Sequence, residues 1–168
     1  ELAPAGPPLM PAADPRPVLR PMTIDDYEAV FTLWSETAGV GLNESDQRPA
    51  IAAFLDRNPG LSTVAVEPPS DGAAGGGPIV GAMLAGHNGR RAEFAHLVVA
   101  ESHRGRGVGT RIVEHCLRGL AEQGIDRCNV YVYATNKAAL QFWRRLGFAE
   151  REDVVFMQGP TSQADPLG

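Results

Sequence analysis

The sequence predicts one domain of mixed α/β class, in which a mostly antiparallel sheet is flanked by helices. Three observations support this prediction. A chain of 168 residues with 43% hydrophobic content can bury one substantial core. Its 19 glycines and 14 prolines stay below the roughly 25–30% that is typical of low-complexity chains. The hydrophobic pattern follows the order β-α-α-β-β-β-α-β-α-β, which predicts antiparallel strands first and a strand–helix–strand arrangement afterwards.

Residues 1–17 are predicted to form a flexible arm, because half of the prolines lie within the first 21 residues. The arm lacks the charged segment and apolar core of a signal peptide, and Met10 is a candidate native start. We expect the folded domain over residues 18–159, beginning with a short extended segment at 18–20. Residues 160–168 are expected to form a flexible tail.

Two helices are predicted after this extended segment. Thr23 and Asp26 are typical of a helix start, with a hydroxyl cap and a carboxylate in the first turn. Large apolar residues then recur at intervals of three and four and share one face; they are Tyr27, Val30, Phe31 and Trp34. A second helix is expected over about residues 45–58, where the sequence Asn58-Pro59-Gly60 ends it.

Three strands are predicted in the middle of the chain, over residues 62–66, 79–85 and 91–100. A Gly- and Pro-rich connection at 67–78 joins the first two and is expected to be an exposed loop. Asn88-Gly89 is a strong hairpin signal before the third strand. The apolar side chains of Leu97, Val98 and Val99 predict that the end of the third strand is buried.

The last third of the chain predicts helix, strand, helix and strand. The first helix follows Thr110 with an apolar stripe and ends at Gly124. A strand is expected over residues 128–133, with Tyr131 and Tyr133 on one face. Asn136 can cap the last helix, and Gly147 can end it. A final strand is predicted over residues 154–157. The residues expected to face inward are Ile112, Val113, Cys116, Leu117, Leu120, Ala139, Leu140, Trp143 and Leu146.

Charge and cysteine content exclude several classes of function. Fifteen basic and 20 acidic residues give a net charge of −5 with no basic run, which argues against binding to nucleic acid or to an anionic membrane. No apolar run approaches the 18 residues of a membrane span. Cys116 and Cys128 form neither a CxxC pair nor a disulfide framework, so we expect a cytoplasmic protein. The histidines and cysteines show no metal-ligand spacing, so no metal is expected.

The glycine-rich segment between the third predicted strand and the following helix carries the chemistry. Glycines let successive backbone N–H groups converge, and the helix N-terminus and two arginines add positive potential. The segment therefore predicts a phosphate or pyrophosphate site. It is not a P-loop, which requires GxxxxGK[ST], and its glycine spacing differs from the GxGxxG of dinucleotide-binding folds. The segment comprises Arg104, Gly105, Arg106, Gly107, Val108, Gly109 and Thr110.

Arg104, Gly107 and Gly109 resemble the [Q/R]-x-x-G-x-[G/A] acyl-CoA motif of the GNAT superfamily of N-acetyltransferases. The preceding residues 96–103 look like that family's hydrophobic strand running into the loop. Downstream, residues 136–140 and 145–148 are similar to its N-x-x-A and LGF sequences. The resemblance covers roughly residues 18–157 and implies a GNAT-like sheet flanked by helices. It also implies transfer of an acetyl group from acetyl-CoA, as co-substrate, to a primary amine by direct attack on the thioester.

The resemblance also assigns roles to individual residues. The amides of residues 105–110 would hold the pyrophosphate of CoA. Main-chain groups of Leu97, Val98 and Val99 would meet the pantetheine arm, and the Leu97 N–H would polarise the acetyl carbonyl. Asn136 would contact the pantetheine near the thiol, although its position also suits a helix cap.

Glu93 is the preferred general base, directly or through a water molecule, because it lies where the histone-acetylating branch of the family carries its catalytic glutamate. The alternative interpretation is a solvated strand residue. His96 is a second candidate base, although a lone histidine on a buried strand is more often a core residue.

A difference from the family concerns the general acid. Many members carry a tyrosine at the position of Trp143, where it protonates the CoA thiolate. An indole N–H is not a usable acid, so Tyr131 or Tyr133 on the neighbouring strand could replace it, and Tyr133 is the preferred candidate. Trp143 itself would contact the cofactor or pack against the helix. A thiolate is also a tolerable leaving group, so that no acid is required.

The acceptor is predicted only as a class. The segment Asp25–Asp56 is acidic, which suits a cationic amine by long-range attraction, or else simply solvates helix faces. A short final hairpin would leave room for a peptide N-terminus or a lysine side chain, and the sequence resembles the bacterial branch that includes protein alpha-amine acetyltransferases. The resemblance makes a homodimer possible, and nothing in the sequence decides between a monomer and a dimer. The alternative function is a non-catalytic acyl-CoA-binding regulatory domain. The acidic residues are Asp25, Asp26, Glu28, Glu36, Glu44, Asp46 and Asp56.

Overall fold

The computed structural model describes residues 16–69 and 76–161 and contains a five-stranded sheet. The strands lie in chain order across the sheet: β1 (Val18–Pro21), β2 (Thr63–Val66), β3 (Ile79–His87), β4 (Ala92–Val99) and β5 (Cys128–Val130). The first three pairs are antiparallel, and β4 and β5 are parallel. The helices are α1 (Tyr27–Glu36), α2 (Arg48–Arg57), α3 (Val108–Glu122) and α4 (Lys137–Arg145). The predicted mixed α/β class is confirmed.

The chain groups into two compact units, Glu1–Tyr133 and Ala134–Gly168. The described part of the first unit contains the sheet and α1–α3, and that of the second contains α4. Most of the predicted arm 1–17 and tail 160–168, and the centre of the predicted loop 67–78, lie outside the described residues. Within the described ranges, no helix is long and apolar enough to cross a membrane.

Helices cover both faces of the sheet in the first unit. Two neighbouring residues of β2 show this, since their side chains point to opposite faces. Val64 packs in a buried cluster with Val30 and Trp34 of α1. Its neighbour Thr63 instead contacts Cys116 of α3, whose thiol lies 3.3 Å from the threonine hydroxyl. The predicted apolar stripes of α1 and α3 are therefore confirmed as the two surfaces that enclose the sheet. In the stripe of α3, Ile112, Val113, Cys116 and Leu120 are buried and Leu117 is half-buried.

The predicted helix starts are correct in kind and differ in detail. Asp26 accepts a hydrogen bond of 2.9 Å from the Thr23 N–H, as the capping prediction requires. A 3-10 turn, Ile24–Asp26, precedes α1, and a second one, Glu44–Asp46, precedes α2. The second helix therefore begins at Arg48 rather than near residue 45. In the second unit, the side chain of Asn136 caps α4 by accepting a bond of 3.1 Å from the Ala139 N–H.

Three strand predictions need correction. The strand predicted over 128–133 ends at Val130, where its pairing with β4 also ends. Residues 154–157 form no strand, and their side chains are exposed. Apolar and β-branched composition favours a strand only where a neighbouring strand and a packing surface exist. In β4, Val98 is buried but Leu97 and Val99 are only half-buried, because side chains alternate between the two faces of a strand.

Candidate active site

An irregularity in β4 shapes the centre of the sheet. Ala82 pairs with Val98 and Leu84 pairs with Ala95, so that two residues of β4, His96 and Leu97, lie opposite one residue of β3. This is a β-bulge, a feature common beside active sites, where it redirects side chains. His96 has a φ of 53°, in the left-handed region that residues other than glycine rarely adopt. Such a conformation costs about 1–3 kcal/mol, so the surrounding contacts hold it in place.

Beyond the bulge, one edge of β4 has no strand neighbour among the described residues. Pairing between β4 and β5 ends at Phe94 and Val130. The Ala100 N–H donates to the Val80 carbonyl at 2.8 Å, so the main-chain groups of Val99 point away from β3. By alternation, those of Leu97 point the same way. The Val99 carbonyl accepts a bond of 3.0 Å from Arg104 Nε. An extended ligand could add to this edge as a strand.

The glycine-rich segment follows directly. Gly105 and Gly107 have φ values of 73° and 77°, which require glycine, and the space where a Cβ would stand is open at both positions. Gly107 caps α3, so the first N–H groups of that helix have no acceptor within it. Arg104 and Arg106 are exposed beside them. The predicted anion-binding features thus lie together at one end of β4.

His96 forms a hydrogen bond that joins β4 to the loop between α1 and α2. Its Nε2 lies 2.6 Å from Oδ1 of Asp46, which is buried with a side-chain exposure of 7%. The other carboxylate oxygen, Oδ2, accepts a bond of 2.9 Å from the Asn43 N–H. The main-chain carbonyl of Asp46 accepts the hydroxyl of Tyr27 at 2.9 Å. His96 also packs against Trp34, with ring centroids 5.0 Å apart. These contacts define a dyad, Asp46–His96.

Glu93 lies three residues before His96, about 10 Å along the strand. It pairs with Gly86, and a Cβ at Gly86 would meet Phe54 and Asn58 of α2. Glu93 and His96 are therefore on the same face of the sheet, the face that α1 and α2 cover. Glu93 is an exposed residue, and partial desolvation of its carboxyl raises the pKa above the ordinary value. A raised pKa makes a carboxylate a better proton acceptor near neutral pH.

Tyr131 and Tyr133 lie beyond the end of β5 and are more than half exposed. The hydroxyl of Tyr133 contacts the backbone at Gly41, where a Cβ would overlap it. Gly41 lies in the same loop, between α1 and α2, that carries Asp46. One loop therefore contacts both Tyr133 and His96.

Asn136 and Trp143 belong to the second unit. Asn136 caps α4, as expected. Trp143 is 7% exposed and packs against Phe142 and Phe148, with ring centroids 5.3 Å and 4.9 Å apart. The packing interpretation of Trp143 is therefore confirmed within this unit, and the cofactor contacts of both residues stay predictions.

Sequence reasoning did not identify Asp46 or Glu67 individually as partners of site residues. Asp46 was one of seven acidic residues in an acidic segment, and its contact with His96 spans 50 positions of the sequence. Glu67 lies 2.7 Å from His103, directly before the glycine-rich segment, and His103 also contacts the Ser102 hydroxyl. Neither contact has a local sequence signal. Among the described residues, no three His, Cys, Asp or Glu side chains gather as a metal site would need.

Comparison with known proteins decides the family. The sequence profile described as "Acetyltransferase (GNAT) family" matches residues 27–148, which include parts of both units. The chain belongs to this acetyltransferase (GNAT) family. The predicted family and the predicted enzyme class, an acyltransferase, are thereby confirmed, and one family domain spans the two units.

Individual relatives agree with this assignment. An acetyltransferase of Sodalis glossinidius is 28% identical over 135 residues, which cover 80% of this chain and 88% of that protein. The structure of Rv2747 from Mycobacterium tuberculosis in complex with CoA and NLQ is similar, with a TM-score of 0.62, 23% identity, and coverage of 81% of this chain and 74% of that one. The ribosomal-protein-S18-alanine N-acetyltransferase of Escherichia coli has a TM-score of 0.62 at 17% identity, and the match covers 80% and 78% of the two chains. At these identities the structures confirm the GNAT-like fold.

Proposed function

We propose that this chain transfers an acetyl group from acetyl-CoA to a primary amine, which attacks the thioester directly. The observation that carries the proposal is the open edge of β4, which begins at a bulge and ends at a glycine-rich helix start. An extended arm with a terminal phosphate group fits such an edge. CoA is present in the structure of the Mycobacterium tuberculosis relative, which supports an acyl-CoA co-substrate here.

The glycine-rich segment is the proposed pyrophosphate site. The backbone N–H groups of residues 105–110 would donate to the phosphate oxygens, since the first amides of α3 have no acceptor within the helix. Arg104 and Arg106 would add charge-assisted hydrogen bonds. Main-chain groups of Leu97 and Val99 would contact the pantetheine arm, with Arg104 releasing the Val99 carbonyl when the arm binds. Val98 lies between them with its main-chain groups turned toward β3. The cofactor contacts of Asn136 and Trp143, which belong to the second unit, are proposed from the family resemblance alone.

The Leu97 N–H is the proposed donor to the acetyl carbonyl. Leu97 lies in the bulge, and its main-chain groups point away from β3. A donor held there stabilises the negative charge that develops on the carbonyl oxygen during attack. Because the backbone supplies this group, a side-chain substitution at Leu97 would leave it in place.

Glu93 and Tyr133 are the proposed acid–base groups. An aliphatic amine with a pKa near 10 is largely protonated at neutral pH and must lose a proton before it attacks. Glu93 would accept that proton through water, since it lies about 10 Å along the strand from the bulge that contains Leu97. Tyr133 would donate a proton to the departing thiolate, in place of the tyrosine that the family carries at the position of Trp143.

The acceptor is proposed to be the amine of a peptide or protein, with a small amine as the other candidate. The Escherichia coli structural relative is named for acetylating an alanine of ribosomal protein S18, which supports a protein alpha-amine. A cytoplasmic location is proposed from the two cysteines alone, which form neither a CxxC pair nor a disulfide framework. A homodimer stays a proposal from the family resemblance alone.

The test combines binding with turnover. Acetyl-CoA at 100 times its Kd should stabilise the fold by about 2.7 kcal/mol, which is readily measured as a shift in Tm. Release of the CoA thiol is then followed with a panel of small amines and of peptides with free N-termini or lysines. Turnover with an amine supports the proposal. Stabilisation without turnover on any amine would instead favour a non-catalytic acyl-CoA-binding domain.

A further inference from the structure

We propose that His96, held by Asp46, accepts the proton that leaves the acceptor nitrogen as the C–N bond forms, while Glu93 removes only the proton lost before attack. This inference rests on the proposed acetyl transfer. It assigns a second proton acceptor to the site and divides two proton transfers between two residues. It also assigns Asp46 as the residue that positions His96.

The hydrogen bonds around Asp46 fix the tautomer of His96. Oδ2 accepts the Asn43 N–H at 2.9 Å, and Oδ1 lies 2.6 Å from His96 Nε2. An ionised carboxylate only accepts hydrogen bonds, so Nε2 is the ring nitrogen that carries the hydrogen. In the neutral ring, Nδ1 therefore carries the lone pair. This is the arrangement that makes a histidine paired with an aspartate a proton acceptor.

The free nitrogen of His96 is accessible. Among the described residues, Nδ1 has no hydrogen-bond partner, and the side chain is 17% exposed. Among those same residues, Trp34 Nε1 is the buried side-chain nitrogen or oxygen that lacks a partner. His96 Nδ1 also lacks a partner but is not one of these buried atoms, so it is accessible to solvent. The Trp34 ring lies tilted against His96, with ring centroids 5.0 Å apart, so an unused N–H donor and an unused acceptor occur in adjacent rings.

The bulge places His96 next to the proposed reacting carbon. Leu97, whose N–H would hold the acetyl oxygen, is the following residue, and both lie in the bulge opposite β3. The strained φ of 53° at His96 is maintained in spite of its cost, which indicates that the ring position matters. Glu93 is three residues further away and reaches the same carbon only through water.

Two protons leave the acceptor nitrogen during the reaction, and the proposal gives each of them its own acceptor. A protonated amine R–NH₃⁺ loses one proton to become the nucleophile R–NH₂. Attack on the thioester carbon then forms the C–N bond and leaves a positively charged nitrogen, which loses a second proton as the C–S bond breaks and the thiolate departs. With Tyr133 protonating the thiolate, the immediate products are R–NH–CO–CH₃ and CoA–SH, while Glu93 and His96 each hold one proton and Tyr133 is left as the phenolate. Glu93 takes the first proton, and His96 Nδ1 takes the second, with the Asp46 carboxylate offsetting the charge on the ring.

The test uses two acceptors that differ in basicity. One is the best alkyl-amine acceptor from the panel, which is protonated at the assay pH, and the other is a weakly basic hydrazine or arylamine, which is neutral there. His96→Gln keeps a side-chain N–H toward Asp46 but cannot accept a proton. We expect it to lower kcat by about 100-fold or more with both acceptors, while the KM for acetyl-CoA is unchanged. Glu93→Gln should lower kcat/KM only with the alkyl amine.

Two further variants separate catalysis from packing. His96→Gly relieves the strain of the left-handed backbone conformation, because glycine adopts a positive φ readily. It also leaves space for an imidazole molecule, so added imidazole should restore part of the lost kcat. Asp46→Asn keeps a neutral hydrogen bond and should lower kcat by about tenfold without a change in the KM for acetyl-CoA. His115→Gln, on the outer side of α3, is the matched control and should keep the wild-type kcat. The Tm of each variant, with and without acetyl-CoA, confirms that it is folded.

The outcomes distinguish the two proposals. If the wild-type protein transfers acetyl groups and His96→Gln retains kcat within about threefold, the dyad only joins the loop to β4, and the inference is wrong while the proposed function stands. An imidazole-insensitive His96→Gly variant would also contradict it. If the wild-type protein binds acetyl-CoA but acetylates no amine, the proposed function fails and the inference fails with it.

Discussion

At the scale of single residues, Gly41 and Tyr133 form a contact that controls the position of the proposed acid. The Tyr133 hydroxyl occupies the space that a Cβ at Gly41 would need. The phenol ring is otherwise 62% exposed, so this contact is a main constraint on where the hydroxyl lies. Any side chain at position 41 must displace it.

Tyr133→Phe and Gly41→Ala should therefore have similar effects. If Tyr133 protonates the thiolate, its loss should lower kcat by about 10- to 100-fold, with little change in the KM for acetyl-CoA. Gly41→Ala should lower kcat in the same direction, because it moves the hydroxyl. The double variant should be no slower than Tyr133→Phe alone, since both changes remove one function. Steady-state thiol release measures kcat for all three variants. Additive losses of kcat in the double variant would show that Gly41 affects the rate by a route other than Tyr133.

Glu93 should define the acid side of the pH profile. Partial desolvation raises its pKa, and the carboxyl accepts a proton only when ionised, so kcat/KM should fall as the pH drops through this raised value. Glu93→Gln should lose activity mainly between that pKa and the pKa of the amine. The ratio of variant to wild-type kcat/KM should approach one at higher pH, where the acceptor is already neutral. Equal ratios at every pH would exclude Glu93 as the base.

At the scale of secondary-structure elements, an ion pair between Arg20 and Asp26 connects β1 to the start of α1. Arg20 Nη1 and Nη2 each lie 2.7 Å from an oxygen of Asp26, which also accepts the Thr23 N–H. Burial opposes ionisation of Asp26, but these hydrogen bonds outweigh it and lower the pKa of the carboxyl. The pair therefore sets the entry of α1, whose residue Trp34 packs against the dyad.

Asp26→Asn should destabilise the fold by about 1–2 kcal/mol at pH 7, since Arg20 is 43% exposed and its contribution is screened by solvent. A lowered folded-state pKa gives stability that is complete above the unfolded value near 3.9 and is lost as the pH falls through the folded value. The difference from wild type should therefore shrink below about pH 4. Urea unfolding at pH 7 and pH 3 measures it, and Asp25→Asn is the exposed control. A constant difference would argue against the ion pair.

At the scale of the whole molecule, the acidic segment of residues 25–56 is less available to a cationic acceptor than its composition suggests. Asp26 pairs with Arg20, Glu28 with Arg48, and Asp46 with His96. Four acidic side chains remain exposed without such a pair among the described residues: Asp25, Glu36, Glu44 and Asp56. Long-range attraction of a cationic acceptor therefore depends on these four side chains and on the net charge of −5.

Salt should affect a cationic acceptor modestly and in one direction. The KM of a peptide with two lysines beyond its N-terminal residue should rise between 0.01 M and 1 M ionic strength, as the Debye length falls from about 30 Å to about 3 Å. A matched peptide with two glutamines should change less. Initial rates of thiol release give both values. Parallel changes in the two peptides would show that the acidic segment only solvates helix faces.

Much of the fold follows from local sequence signals. The apolar stripes of α1 and α3 follow from spacings of three and four residues, and the caps at Thr23 and Asn136 follow from residue type. These features involve residues close together in the chain, so local patterns predict them. The strand predicted at 154–157 failed because a strand needs a neighbour, and composition does not say whether one is present.

The sequence by itself determined the family of this protein, through Arg104, Gly107 and Gly109 and the sequences around them, because a phosphate-binding turn is built from consecutive residues. Only the tertiary structure decided that Asp46 is the acidic residue that contacts His96. It also decided where the pairing of β4 with β5 ends, and that the Tyr133 hydroxyl contacts the backbone at Gly41. Each of these features joins residues far apart in the chain or depends on pairing register. Their energies arise from packing and hydrogen bonds that exist only after folding, so no local pattern could encode them.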